Sequence, residues 1–199
     1  LQLWHKPRYV PADGHARAVA AAANADLAIV FVGSPDAYET EGLDRPSMRL
    51  TGNQDELVAE VAQANPNTVV VVNAGTPVEM PWVNQVPAIL WAYFPGQEGG
   101  NALADILTGV VNPSGKLPLT LPAQIEDNPT FINYPGDRSI LYGEDIFIGY
   151  RYYDARKIEP LFPFGHGLSY TQFTYSELNC PPSIRQGEPV EISFTIRND

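Results

Sequence analysis

The sequence predicts an α/β fold, a mostly parallel sheet flanked by helices, followed by a partial all-β segment. Three observations carry that expectation. Apolar runs at residues 27–32, 68–72 and 88–94 lack in-out alternation, the mark of parallel strands buried on both faces. Stretches with helical periodicity separate and follow these runs, so strand and helix alternate in units of ordinary crossover length. After Asn112-Pro113-Ser114-Gly115 the chain becomes rich in Pro, Gly, Tyr and Phe and shows no clear helical period.

Taken in order, residues 1–11 alternate apolar and polar side chains (Leu1, Leu3, then Trp4) and read as the last strand of something upstream. The chain begins at Leu1 rather than Met, so it is expected to be a piece of a longer polypeptide. Residues 15–24 are almost all Ala, a strong helix former, with Asp13 placed to cap the start. After the run at 27–32 comes an unusually long connection of about twenty residues, a length that suits a functional loop. Asn53 and Glu56 have capping-box spacing before a helix over 53–65, where Leu57, Val58, Val61, Ala62 and Ala64 form the apolar stripe. Asn65-Pro66-Asn67 stops that helix, and a β-branched run follows at 68–72. Gly75-Thr76-Pro77 ends this strand, residues 80–84 make a short segment, and residues 88–94 form the next strand. A Gly-rich turn at 96–100 leads into a helix with Ala102, Leu103, Ile106, Leu107 and Val110 on one face. Beyond it, residues 116–121 are expected as an edge strand and residues 146–153 as a strand with a mixed aromatic face. Residues 173–178 and 190–197 alternate and read as the opening strands of a β-sandwich.

Composition narrows the functional classes. A hydrophobic share of 44% in 199 residues supports a real core. The net charge of −11 argues against nucleic acid or an anionic membrane as partner, since both need a basic face. No apolar run approaches the roughly 20 residues of a spanning helix. Cys180 is the only cysteine, so no intrachain disulfide forms and cysteine usage does not fix the compartment. A secreted or periplasmic location and a cytoplasmic one are both compatible with the sequence, as is a homo-oligomer.

Chemistry is then sought in the loops. The turn Gly96-Gln97-Glu98-Gly99-Gly100 lacks dinucleotide spacing, and Glu98 would set a carboxylate against a phosphate. His5, His15 and His166 share no ligand spacing, no Gly-X-Ser-X-Gly elbow occurs, and Cys180 lies in a Pro-rich linker. No metal and no cofactor are therefore expected. That leaves Glu39-Thr40-Glu41-Gly42-Leu43-Asp44-Arg45-Pro46, in the long loop at the carboxyl end of a parallel strand, where open α/β sheets place their functional groups. By residue type alone these charges are either an internal ion pair that folds the loop or a proton-transfer site; a lone Glu cannot cleave a glycosidic bond without a second carboxyl group.

Thr40-Glu41-Gly42-Leu43-Asp44-Arg45-Pro46, with Leu50-Thr51-Gly52-Asn53-Gln54-Asp55-Glu56-Leu57 behind it, resembles the second domain of glycoside hydrolase family 3, the β-glucosidase family. Further segments match in order: Asn65-Pro66-Asn67-Thr68, Tyr93-Phe94-Pro95-Gly96-Gln97-Glu98-Gly99-Gly100-Asn101, Asn112-Pro113-Ser114-Gly115-Lys116-Leu117-Pro118, Gly149-Tyr150-Arg151-Tyr152-Tyr153-Asp154 and Phe162-Pro163-Phe164-Gly165-His166-Gly167. The resemblance implies an α/β sandwich over residues 13–172. It also implies that residues 1–12 are the exit strand of an insertion of the PA14 type and that residues 173–199 begin a fibronectin type III-like domain. It implies a retaining, exo-acting enzyme that removes terminal non-reducing β-D-glucosyl residues from a β-glucoside or oligosaccharide. The nucleophile would come from an N-terminal barrel domain of the same polypeptide, so the fragment alone is expected to be inactive. Glu41 matches the acid/base, with Glu39 as runner-up two residues away. Leu43 stands where the family often has an aromatic and is a candidate aglycone wall. Asp44 and Arg45 are assigned to shaping the loop. The rivals are a β-xylosidase or β-N-acetylglucosaminidase of the same family and a non-catalytic carbohydrate-binding or scaffold domain.

Overall fold

A computed structural model of the chain describes residues 13–136 and 138–199. The expected exit strand at 1–12, and His5 with it, lies outside the described residues. Helix α1 (Gly14–Ala23) is followed by β1 (Ala28–Gly33), α2 (Gln54–Ala64), β2 (Thr68–Asn73), β3 (Ala88–Trp91) and α3 (Gly99–Leu107). The three strands pair in parallel in the order β1-β2-β3, with Ala28 opposite Thr68 and Val69 opposite Ala88. Their carboxyl ends therefore share one edge, from Gly33 across Asn73 to Trp91. A helix α4 (Tyr150–Arg156) precedes a separate antiparallel pair, β4 (Phe173–Asn179) and β5 (Ser193–Asn198).

The core lies between the sheet and α2. Val58, Val61 and Ala62 of α2 are buried against Val30 and Val32 of β1 and Val70 and Val72 of β2, and Trp82 and Leu121 close the cluster. Helix α1 reaches this layer through Ala22 and leans on α2, with His15 Nε2 3.1 Å from Glu60. Asn65 joins the two helices. Its buried amide donates to the carbonyls of Ala22 (2.9 Å) and Ala25 (2.8 Å), while its Oδ1 accepts from the N–H of Asn67. The residue that stops α2 thus also closes the C-terminal end of α1.

Several expectations are corrected. Strand β1 is covered on one face only: Ala28, Val30 and Val32 are buried, whereas Ile29 and Phe31 are 41% and 61% exposed. It stands at the sheet edge, and only the central strand β2 is covered on both sides, with Val70, Val71 and Val72 fully buried. Asn53 precedes α2 but makes no side-chain cap, so the expected capping box does not form. Gln54 is used instead: its Oε1 accepts from Gly33 N–H (2.8 Å) and its Nε2 donates to the carbonyls of Gly33 (3.0 Å) and Thr51 (2.9 Å). Strand β3 ends at Trp91, because Tyr93 turns the chain with φ +51°.

Residues 146–153 are not a strand. The chain turns at Gly149, with φ +54°, and enters α4, in which Tyr153 alone is buried while Tyr150 is exposed. Residues 116–121 do not join the sheet either. Leu117 and Leu121 exchange backbone hydrogen bonds with the segment 162–166, and Pro118 and Pro122, which lack an N–H, interrupt any longer ladder.

Replacing Asn65 with Ala would orphan two carbonyls at the junction of α1 and α2, at a cost of about 2–3 kcal/mol; urea unfolding should show the loss as a lower midpoint with an unchanged slope. The Tyr153 phenol is pushed up to about 12 by burial first, then by the negative charge of Asp127. Because the folded state resists its ionisation, the stability it carries is complete below about pH 10 and falls as the pH climbs through about 12. Tyr153→Phe should flatten that alkaline decline in denaturation measured across the same window.

Candidate active-site loop

The long connection leaves the sheet at a fixed root. Gln54 grips the backbone of Gly33, and Ser34 N–H donates to the carbonyl of Asn73 on the neighbouring strand (3.2 Å). A tight turn follows, with Tyr38 and Glu39 N–H both bonded to the carbonyl of Pro35. This turn aims Glu39 back over the carboxyl end of β2.

There Glu39 is consumed. Its Oε2 accepts from Gly75 N–H (2.8 Å), and its Oε1 accepts from the Thr76 hydroxyl (2.9 Å) and from Arg45 Nη1 (3.2 Å). Arg45 Nη1 also reaches the Thr76 hydroxyl and the Pro77 carbonyl (3.2 Å), and its guanidinium lies over the Tyr38 ring, 5.0 Å from the centroid. Tyr38 in turn donates its hydroxyl to the Ser47 carbonyl (3.1 Å). The paired side chains are 7% exposed for Glu39 and 14% for Arg45. Gly75 fits here for lack of a side chain, since a Cβ would stand 2.7 Å from the Phe94 ring and 3.0 Å from the Glu39 carboxylate.

Between these two anchored residues the chain makes its outermost turn. Thr40 and Leu43 bridge in antiparallel fashion, so Glu41 and Gly42 occupy its two central positions. Gly42 has φ +82°, the conformation that the third residue of a type II turn requires and that glycine adopts without strain. Glu41 is exposed, and among the described residues its carboxylate has no hydrogen-bond or ion-pair partner. Leu43 is exposed beside it. Asp44 accepts a 2.6 Å hydrogen bond from the hydroxyl of Tyr134, ninety residues further along the chain. That bond, then desolvation and then the charge of Asp44, raises the Tyr134 phenol above the ordinary tyrosine range.

The four acidic and basic side chains singled out from the sequence therefore lie within one turn but divide sharply. Glu39 and Arg45 form its buried clamp, Asp44 is held from the side, and Glu41 alone projects. Sequence reasoning missed Tyr38, Gly75, Thr76 and Tyr134. Gly75-Thr76 carries a signal, since it directly follows the strand adjacent to β1 and so shares its edge. Tyr134 carries none, because its pairing with Asp44 is purely tertiary. Among the described residues no group of three or more His, Cys, Asp or Glu side chains is arranged to hold a metal ion.

The family described as "Glycosyl hydrolase family 3 C-terminal domain" matches residues 11–170. The chain belongs to that family. Of the relatives of the family 3 domain, a probable beta-glucosidase I of Emericella nidulans is 49% identical over 188 residues, covering 92% of this chain and 22% of the relative. The thermostable beta-glucosidase B of Acetivibrio thermocellus is 49% identical over 180 residues, covering 89% and 24%. A crystal structure of beta-glucosidase from Kluyveromyces marxianus in complex with glucose superposes with a TM-score of 0.88 at 42% identity, covering 94% of this chain and 22% of that one. The domain thus spans about a fifth to a quarter of the length of the proteins it matches.

The two glutamates should separate in stability. Glu39→Gln leaves the Arg45 charge buried against a neutral amide, and a loss of about 3 kcal/mol is expected from breaking a buried pair. Glu41→Gln, at an exposed and unpaired position, should stay within about 0.5 kcal/mol of the parent. Denaturant midpoints of the two variants check the contrast.

Proposed function

We propose that this domain is part of a retaining β-glucosidase acting on terminal non-reducing β-D-glucosyl residues, and that Glu41 is its acid/base. The observation that carries the reading is the contrast inside one turn: Glu39 is buried and bonded on both oxygens, while Glu41 projects free from a tip whose flanks are pinned. A proton-transfer group needs this combination of a fixed backbone and an unclaimed carboxyl. The beta-glucosidase names of the relatives support glucose as the sugar.

The chemistry divides between two domains. A nucleophilic carboxylate on the barrel of the same polypeptide attacks the anomeric carbon. As the bond to the leaving oxygen breaks, protonated Glu41 delivers its proton to that oxygen, and an ester links sugar and nucleophile. Water then attacks the anomeric carbon, Glu41 takes its proton, and the ester carboxylate departs. This order restores both carboxyl groups to their starting states. For retention the two must stand about 5–5.5 Å apart across the bond, so the Glu41 turn has to reach over the barrel's sugar site. The long loop, rooted at Gly33 and Gln54 and stiffened by Glu39 and Arg45, provides that reach.

In the complete enzyme, Glu41→Gln should slow alkyl glucosides by about 10²–10⁴-fold, the usual worth of a general acid, and activated aryl glucosides far less in the glycosylation step. Azide, which attacks the intermediate without needing a base, should partly restore turnover of the activated substrates and yield glucosyl azide. Unchanged rates for Glu41→Gln on alkyl glucosides would overturn the assignment.

A further inference from the structure

The Glu41 turn is flanked by the Glu39–Arg45 clamp and has one further long-range tie. Asp44, next to Leu43 at the base of the turn, accepts the hydroxyl of Tyr134 at 2.6 Å. Tyr134 is presented by a segment that is itself tied down. Asn133 and Tyr134 N–H both bond to the carbonyl of Thr130 (2.9 Å each), and Thr130 bonds through its N–H and hydroxyl to Asn128 Oδ1 (3.0 and 2.8 Å). Asn133 Nδ2 donates to Glu144 Oε1 (3.0 Å), and the Asn133 amide packs over Gly143 closely enough that a Cβ there would stand 3.0 Å from it. The phenol therefore comes from a segment organised by its own hydrogen bonds. Among the described residues its bond to Asp44 is the one hydrogen bond that joins this segment to residues 39–46.

We propose that Tyr134 is a positioning residue for the acid/base turn, docking the segment at 128–136 onto Asp44 and so setting where Glu41 points. This rests on the reading of Glu41 as the acid/base. Three contacts then flank the tip: the Thr40–Leu43 bridge, the Glu39–Arg45 clamp and the Tyr134–Asp44 bond. The clamp fixes Glu39 and Arg45, and a Cβ placed on Gly42 would meet no atom within 4 Å, so nothing beyond its chain neighbours packs against the turn at that point. The Tyr134–Asp44 bond adds a long-range tie at the residue after Leu43. Since displacing a reacting group by about 1 Å can cost on the order of 10²-fold, a single phenol here carries a measurable effect.

The test is a mutant cycle in the complete enzyme, read with glucosides of graded leaving-group basicity. Tyr134→Phe removes only the hydroxyl. It should slow alkyl glucosides by about tenfold or more, leave the glycosylation of activated aryl glucosides nearly unchanged, and add nothing in a Glu41→Gln background. Asp44→Ala should reproduce this pattern, and the pair together should equal either one alone. A loss shared equally by all leaving groups, or one that persists beside Glu41→Gln, would mark Tyr134 as merely structural and overturn the proposal. If Glu41→Gln itself is without effect, the acid/base reading fails instead. A second readout needs no turnover: ¹³C-tyrosine NMR of the 199-residue chain should show the Tyr134 phenol titrating above its ordinary range and returning toward it in Asp44→Ala. An ordinary titration of Tyr134 in the parent chain would also overturn the proposal.

Discussion

The ion pair between Glu39 and Arg45 is the constraint on which the long loop after β1 depends. An acidic loop of about twenty residues has little reason to hold one shape in water, because its charges gain as much from solvent as from one another. Burial changes that balance only when every charge taken from water finds partners. Glu39 meets the condition with an amide, a hydroxyl and a guanidinium; Arg45 meets it through Nη1, which reaches Glu39, Thr76 and the Pro77 carbonyl. The Nε and Nη2 of Arg45 are buried without a hydrogen-bond partner among the described residues, and its guanidinium lies over the face of Tyr38. The pair therefore draws the loop down onto the end of β2 at two points, and what lies between them has to bulge outward. That bulge is the turn bearing Glu41. A buried carboxylate two residues away thus keeps the exposed one in place.

The sheet makes this geometry available. Parallel pairing in the order β1-β2-β3 brings Gly33 and Asn73 opposite each other, so the loop after β1 and the turn after β2 emerge side by side. Gly75 and Thr76 can then meet a loop residue 36 or 37 positions earlier. An antiparallel neighbour would send its following turn from the opposite edge and leave Glu39 without an amide to receive. Gln54 completes the arrangement by fastening the first turn of α2 to the last residue of β1, which closes the loop at both ends. Fold and site are connected through backbone groups at one edge, and few of them are visible as side-chain identities.

That explains what could be read in the sequence. The three strands, the helices α1 to α3 and the acidic turn all follow from local patterns to within a few residues at their ends. Expectations failed where local pattern and tertiary position diverge. Residues 27–32 are as apolar as residues 68–72, yet only the latter lie in the middle of the sheet, and strand order is not written in either run. Asn53 has the chemistry of a cap, but the neighbouring Gln54 reaches the backbone of Gly33 and fixes the helix start by another route. At 146–153 the aromatic density suggests a strand, whereas the chain turns at Gly149 (φ +54°) and forms a helix of which only Tyr153 is buried. The two glutamates of the turn are indistinguishable by type and differ only in what β2 offers to each.

The division of labour within the turn also accounts for its excess of negative charge. One cation serves three carboxylates at Glu39, Glu41 and Asp44, and it is spent on the one that is buried. Asp44 is satisfied by a neutral phenol, which can donate a hydrogen bond without bringing a positive charge to the tip. A lysine or arginine in place of Tyr134 would hold Asp44 at least as firmly. It would also add a second cation to a turn whose one arginine is already paired with Glu39. A phenol ties Asp44 to a distant segment by a hydrogen bond and brings no charge to the turn.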